Sequence, residues 1–65
     1  MRNKIKELRK QIGLRQEDLA RELGVTRQTI NAIENNKYNP TLELAMKLAK
    51  LLKTPVEVIF ELDDC

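Results

Sequence analysis

Arg27, Gln28, Asn31 and Asn35 fall close together in the stretch GVTRQTINAIEN, residues 24–35. As a group these side chains suit neither nucleophilic nor acid–base work. They carry clustered hydrogen-bond donors and acceptors. On a helix turning about 100° per residue, Ile30 and Ile33 mark one side. Gln28, Asn31, Ala32 and Asn35 lie opposite, with Arg27 on the flank at the N-terminal end. A helix face that meets only water is usually filled with Glu and Lys, which keep helix propensity high. Here the one acid, Glu34, lies off the centre of that face. Arg matches the two acceptors of guanine, Gln or Asn matches the donor–acceptor edge of adenine, and Ala can touch a thymine methyl. The face therefore has the side chains of base reading. For a helix taken alone, an ordinary polar surface is the competing explanation.

Other chemistries fit poorly. The chain has no His, no Ser and no glycine-rich phosphate loop, so an enzyme is not expected. With no His and a single Cys, a zinc site and a disulfide framework are both excluded. No cofactor is expected, because a chain of 65 residues buries only about 60% of its unfolded surface and has no room for a cavity beside its core. Glu17-Asp18 and Asp63-Asp64 read as solvated charge. Cys65 reads as a bystander at a frayed end, and a lone thiol suits a reducing compartment. The apolar runs are too short to span a membrane. The start, MRNKIKELRK, is charged and amphipathic, unlike a signal peptide. A cytoplasmic protein is expected.

The net charge of +2 hides an asymmetry. Residues 1–39 carry nine Lys/Arg and five Asp/Glu, a balance of +4, whereas residues 40–65 carry three and five, a balance of −2. The positive part contains the unusual helix, which hints at a polyanionic partner.

The elements that must hold this helix follow from apolar spacing and turn residues. A first helix is expected from about Asn3, as N-cap, to Ile12, with Ile5, Leu8 and Ile12 inward and Gly13 closing it. A second runs from about Gln16 to Leu23 with Leu19, Ala20 and Leu23 inward. Glu17 and Asp18 suit its positive end, and Gly24 stops it. The third begins at Thr26 as N-cap, with Val25 and Ile30 placed as a hydrophobic staple. The fourth follows Pro40, is capped by Thr41 and runs to about Leu52, with Leu42, Ala45, Leu48, Ala49 and Leu52 as its stripe. Thr54-Pro55 opens a short fifth helix in which Val56, Ile59 and Phe60 close the core. VEVIFEL also alternates with period 2, so an extended tail is the alternative. The whole is one all-α, five-helix domain over residues 1–65. Little more than Gly24-Val25 joins the second and third helices, which forces the sharp angle of a helix-turn-helix. Ala20 supplies the small side chain such a crossing needs.

At this level GLRQEDLARELGVTRQTINAIENNKYNP resembles the helix-turn-helix of the Cro/repressor family, also called XRE or lambda-repressor-like. The resemblance extends through IKELRKQIGL, TLELAMKLAKLL and VEVIF. It implies a compact bundle of four or five helices that binds double-stranded DNA, regulates transcription and mostly acts as a dimer. It implies that Arg27, Gln28 and Ala32 meet base edges, to which the wheel adds Asn31. Gln16 would contact a phosphate at the helix start. Thr26 and Thr29 would cap or reach the DNA backbone. Asn35, Asn36, Lys37 and Tyr38 would follow that backbone, and Arg9 and Glu34 would pair to position the reading helix. Arg15 stands where the family has Ser or Thr, losing a cap worth about 1 kcal/mol and adding a candidate phosphate contact. Asn36 and Lys53 stand where Gly is common, and Asn tolerates the left-handed conformation better than most residues.

One domain this small reads little sequence, so a two-fold homodimer is expected, with half-sites about 34 Å apart. Residues 55–62, through Val56, Ile59, Phe60 and Leu62, are the expected dimer surface. Repression by occupying an inverted-repeat operator is the default role. The alternatives are a helix-turn-helix protein-interaction module, or an antitoxin-like partner of another protein.

Overall fold

The computed structural model describes residues 1–62, so Asp63-Asp64 and the expected role of Cys65 lie outside the described residues. Among these residues the order is strand β1 (Arg2–Asn3), helices α1 (Ile5–Gln11), α2 (Gln16–Leu23), α3 (Arg27–Glu34), α4 (Leu42–Leu52) and α5 (Val56–Ile59), and strand β2 (Phe60–Glu61). Ile5, Leu19, Ile30, Ile33, Leu48 and Ile59 are its most deeply buried side chains, drawn from every helix. Burying an aliphatic side chain of this size contributes about 1.5–3 kcal/mol.

Four of the helix ends are built alike. Gly13, Gly24, Asn36 and Lys53 all have positive φ, at 76°, 72°, 61° and 53°. At each, the left-handed residue donates to a carbonyl three residues back, and the next residue donates five back. The pairs are Gly13 to Lys10 and Leu14 to Arg9, Gly24 to Arg21 and Val25 to Ala20, Asn36 to Ile33 and Lys37 to Ala32, and Lys53 to Lys50 and Thr54 to Ala49. This is the Schellman arrangement, which satisfies carbonyls the helix leaves orphaned. Asn36 and Lys53 thus hold the glycine-type conformation anyway. The helix starts also follow expectation at two places. Thr26 Oγ1 accepts from Thr29 N–H at 3.2 Å, and Thr41 Oγ1 accepts from Leu44 N–H at 3.2 Å.

Several expectations need correction. Ile12 is 51% exposed and lies beyond the last residue of α1, because the chain turns out at Gly13. Leu42 is 74% exposed, and Leu44 takes the inward place beside Ala45, Leu48 and Leu52. The buried arc of α4 is therefore turned toward Leu44, since at 100° per residue Leu42 and Met46 lie away from it. Asn3 is in a strand. Its side chain still caps, with Oδ1 accepting from Ile5 N–H at 3.2 Å, although Lys4 holds the N-cap position.

The tail combines both readings of its sequence. α5 is a single turn, and Phe60 at φ −112°, ψ 141° switches the chain to extended backbone. β2 then pairs antiparallel with β1, Arg2 opposite Glu61 and Asn3 opposite Phe60. Lys4 N–H donates to Ile59 carbonyl at 2.8 Å. Ile59 and Phe60 are buried in the monomer, so they close its core and are withdrawn from the expected dimer surface. Val58 and Leu62 are the apolar tail side chains left exposed, with Val56 half-buried against the core.

Candidate nucleic-acid interface

α3 is positioned by its two flanking turns. At its start, Gly24 breaks α2 in the left-handed conformation, and Thr26 Oγ1 caps α3 while sharing a hydrogen bond with Thr29 Oγ1 at 3.0 Å. Val25, between them, packs against the core. At its end, Asn3 reaches across from β1. Its Nδ2 donates to Ile33 carbonyl at 2.8 Å and to Asn36 Oδ1 at 3.2 Å. The last turn of α3 is thereby tied to the strand that pairs with the tail. Ile30 and Ile33 fix the rotation of α3 from below. Arg27, Gln28 and Asn31 are exposed on its other side, and Ala32 is half-buried.

Beneath this face lies a buried ion pair. Arg9 Nε donates to Glu34 Oε2 at 2.8 Å and Arg9 Nη2 to Glu34 Oε1 at 3.3 Å, with side chains only 9% and 4% exposed. Arg9 Nη1 also donates to Leu14 carbonyl at 2.9 Å. One guanidinium thus holds α1, the loop before α2, and the end of α3. Glu34 is shared further. Gln16 Nε2 donates to Glu34 Oε1 at 3.0 Å and to Asn31 Oδ1 at 3.3 Å. Asn35 Nδ2 donates to Asn31 Oδ1 and to the Asn31 carbonyl, both at 2.8 Å. A continuous chain of bonds runs from the interior to the exposed face of α3.

The start of α2 is arranged differently from expectation. Arg15 replaces a hydroxyl cap, but Asp18 Oδ2 accepts from Arg15 N–H at 3.0 Å and from Arg15 Nε at 3.3 Å. Asp18 Oδ1 also accepts from Arg21 Nη2 at 2.8 Å. The Arg15 hydrogen bonds hold the Asp18 carboxyl below the usual carboxylate range, the backbone one most strongly. The Arg15 guanidinium is pushed up, first by its bond to Asp18 and then by the charge of Glu17.

A family model described as helix-turn-helix matches residues 5–59. The chain belongs to the XRE-type helix-turn-helix family. An uncharacterised HTH-type transcriptional regulator of Methanocaldococcus jannaschii is 53% identical over 64 residues, covering 98% of this chain and 97% of that protein. A counterpart in Bacillus subtilis is 47% identical over 64 residues, with the same coverage. Among solved structures, the restriction–modification controller protein C.AhdI of Aeromonas hydrophila superposes with TM-score 0.77 at 34% identity, over 86% of this chain and 85% of that one. The N-terminal DNA-binding domain of SinR from Bacillus subtilis gives TM-score 0.77 at 27% identity, over 94% and 90%.

Most of the residues singled out by sequence lie on α3 or in the turn that follows it. Arg27, Gln28 and Asn31 are exposed on α3, and Asn35, Asn36, Lys37 and Tyr38 are exposed where the chain leaves it. Arg15 is exposed and Thr29 half-buried. Gln16 departs from its expected role. Its amide nitrogen donates to two acceptors within the protein, as does that of Asn35. The first main-chain N–H groups of α2 remain available for a phosphate. Asn3 was missed as a support of this surface. An Asn shortly before the first core isoleucine gives the same sequence signal whether it caps α1 alone or also reaches α3. Among the described residues no group of His, Cys, Asp or Glu is placed to hold a metal, and no helix is long and apolar enough to cross a membrane.

Proposed function

We propose that this protein is a sequence-specific, DNA-binding regulator of transcription that represses by occupying its operator. The observation that carries this is the exposed set Arg27, Gln28 and Asn31 on a helix clamped at both ends and joined to α2 by only Gly24, Val25 and Thr26. Such a helix enters the major groove and presents its side chains to base edges. Arg15, Thr26, Thr29, Asn36, Lys37 and Tyr38 flank it, and their role is to meet phosphates and set register. Ala32 adds apolar contact at the edge of the face. The relatives carrying the name of transcriptional regulator support the reading, as does the DNA-binding domain among the structural neighbours.

The protein acts as a homodimer on an inverted repeat, because α3 alone reads few base pairs. Val58 and Leu62 supply the apolar tail contacts, since Ile59 and Phe60 lie in the monomer core. Selection of bound fragments from a random DNA pool at about 150 mM salt, where non-specific contacts are weakened, tests the function. Enrichment of an inverted repeat with half-sites about 34 Å apart is expected. A folded protein that enriches no sequence defeats the reading. Sedimentation tests the dimer, which is rejected if only 7.6 kDa species appear with and without operator.

A further inference from the structure

The amide of Asn31 has a defined orientation, and two neighbours fix it independently. Asn35 Nδ2 lies 2.8 Å from the Asn31 main-chain carbonyl, which only accepts. The atom there must be nitrogen, so the Asn31 side-chain atom 2.8 Å from it must be the oxygen. Gln16 Nε2 lies 3.0 Å from the Glu34 carboxylate, also an acceptor only. Its second contact, 3.3 Å away, must again be Asn31 Oδ1. Glu34 is itself fixed by Arg9. Asn31 Oδ1 is therefore turned onto Gln16 and Asn35, and among the described residues its Nδ2 hydrogens have no partner.

Resting on the DNA-reading function above, we infer that Asn31 is a donor-only reader that selects guanine, with Gln16 and Asn35 as the residues that lock it. Bidentate pairing of Asn with adenine needs the side-chain oxygen to accept from adenine N6 while the nitrogen donates to N7. The lock removes that oxygen. Two unpartnered hydrogens instead suit an edge with two adjacent acceptors, which in the major groove is guanine O6 and N7. The specificity of Asn31 is thus set by side chains beneath it, through a chain that begins at the buried Arg9.

The test starts from the selected operator and measures affinity for all four base pairs at each position. Wild type is compared with Asn31→Ala and with the double variant Gln16→Ala/Asn35→Ala. The position where Asn31→Ala abolishes discrimination is the one Asn31 reads. Wild type should prefer guanine over adenine there by about tenfold. The double variant should lose most of that preference while other positions keep theirs, which a general loss of structure would not produce. Adenine preferred at that position, an unchanged guanine preference in the double variant, or no position sensitive to Asn31→Ala overturns the proposal while leaving DNA binding intact. Failure to select any operator removes the DNA-reading function itself. Exchange of side-chain amide protons, followed by NMR on the free wild-type protein, checks the lock without DNA or mutation. Gln16 and Asn35 amide protons should exchange more slowly than those of Asn31. Equal or greater protection at Asn31 overturns the lock.

Discussion

Glu34→Gln removes one charge from the Arg9–Glu34 pair and changes almost nothing in volume. Both partners are nearly enclosed, and the guanidinium donates to both carboxylate oxygens. The variant leaves Arg9 buried without a counter-charge, and its new amide nitrogen faces donors from Arg9 or Gln16. Leaving one member of a buried pair uncompensated costs about 3–5 kcal/mol. The retained Gln carbonyl and the Arg9 bond to Leu14 carbonyl favour the lower end, about 3 kcal/mol. Small domains have a total stability of about 5–15 kcal/mol, and a chain this short belongs near the bottom of that range. One kcal/mol shifts the melting temperature of such a domain by about 4–8 °C, so a fall of about 12 °C or more is expected. Thermal and urea unfolding followed by circular dichroism give the value. The double variant Arg9→Met/Glu34→Leu should recover most of the loss, because apolar replacement of both partners is often neutral or better. A loss below about 1 kcal/mol in Glu34→Gln, as for exposed ion pairs, would refute the claim that this pair is buried and structural.

Gln28→Ala should lower affinity for the operator by about 1–3 kcal/mol and leave random DNA nearly unaffected, whereas Lys37→Ala should weaken both alike and reduce the salt slope by about one, measured by titration at several salt concentrations. Lys53→Gly should raise stability by roughly 1 kcal/mol, since φ is 53° there and the left-handed conformation costs a side-chain-bearing residue about 1–2 kcal/mol; a lower melting temperature would contradict this. The Asp18 carboxyl is held below its ordinary range in the folded protein, so its contribution is present at neutral pH and fades as pH falls below that ordinary range. Asp18→Asn should therefore be less stable than wild type near neutrality, and the gap should close on acidification in unfolding titrations.

Local signals placed α3 because its determinants are local. Gly24, Val25, Thr26, Ile30 and Ile33 specify a stop, a cap and a buried side within a short span, and the structure has each of them. The same locality explains the errors. Leu42 and Leu44 both fit a helical stripe on α4, and only packing against the other helices decides between them. Residues 56–61 satisfy helical and alternating spacing in turn, and the structure uses one for α5 and the other for β2. The partner of β2 lies at the far end of the chain, where Arg2 and Asn3 carry no strand signal. The Arg9–Glu34 pair came from family resemblance. Its extension through Gln16 to Asn31 depends on side-chain positions that spacing does not encode.

The strand at the chain's start gains its importance from Asn3. Its backbone pairs with Phe60, and its side chain holds both the Ile33 carbonyl and Asn36. A two-residue ribbon has little stability of its own. Here it is held between the buried Phe60 and the end of α3. The result is an α3 with its first turn capped by Thr26, its last turn held by Asn3, and Asn31 held by Gln16 and Asn35. The backbone of α3 and the Asn31 side chain are thus held in the free protein. Ordering each mobile side chain costs about 0.5–1.5 kcal/mol on association, so fixing Asn31 in the free protein would convert more of its proposed base contact into affinity. Asn3→Ala, far from the face in sequence, should therefore loosen the α3 C-terminus and weaken operator binding, while Arg27 and Gln28 remain in place.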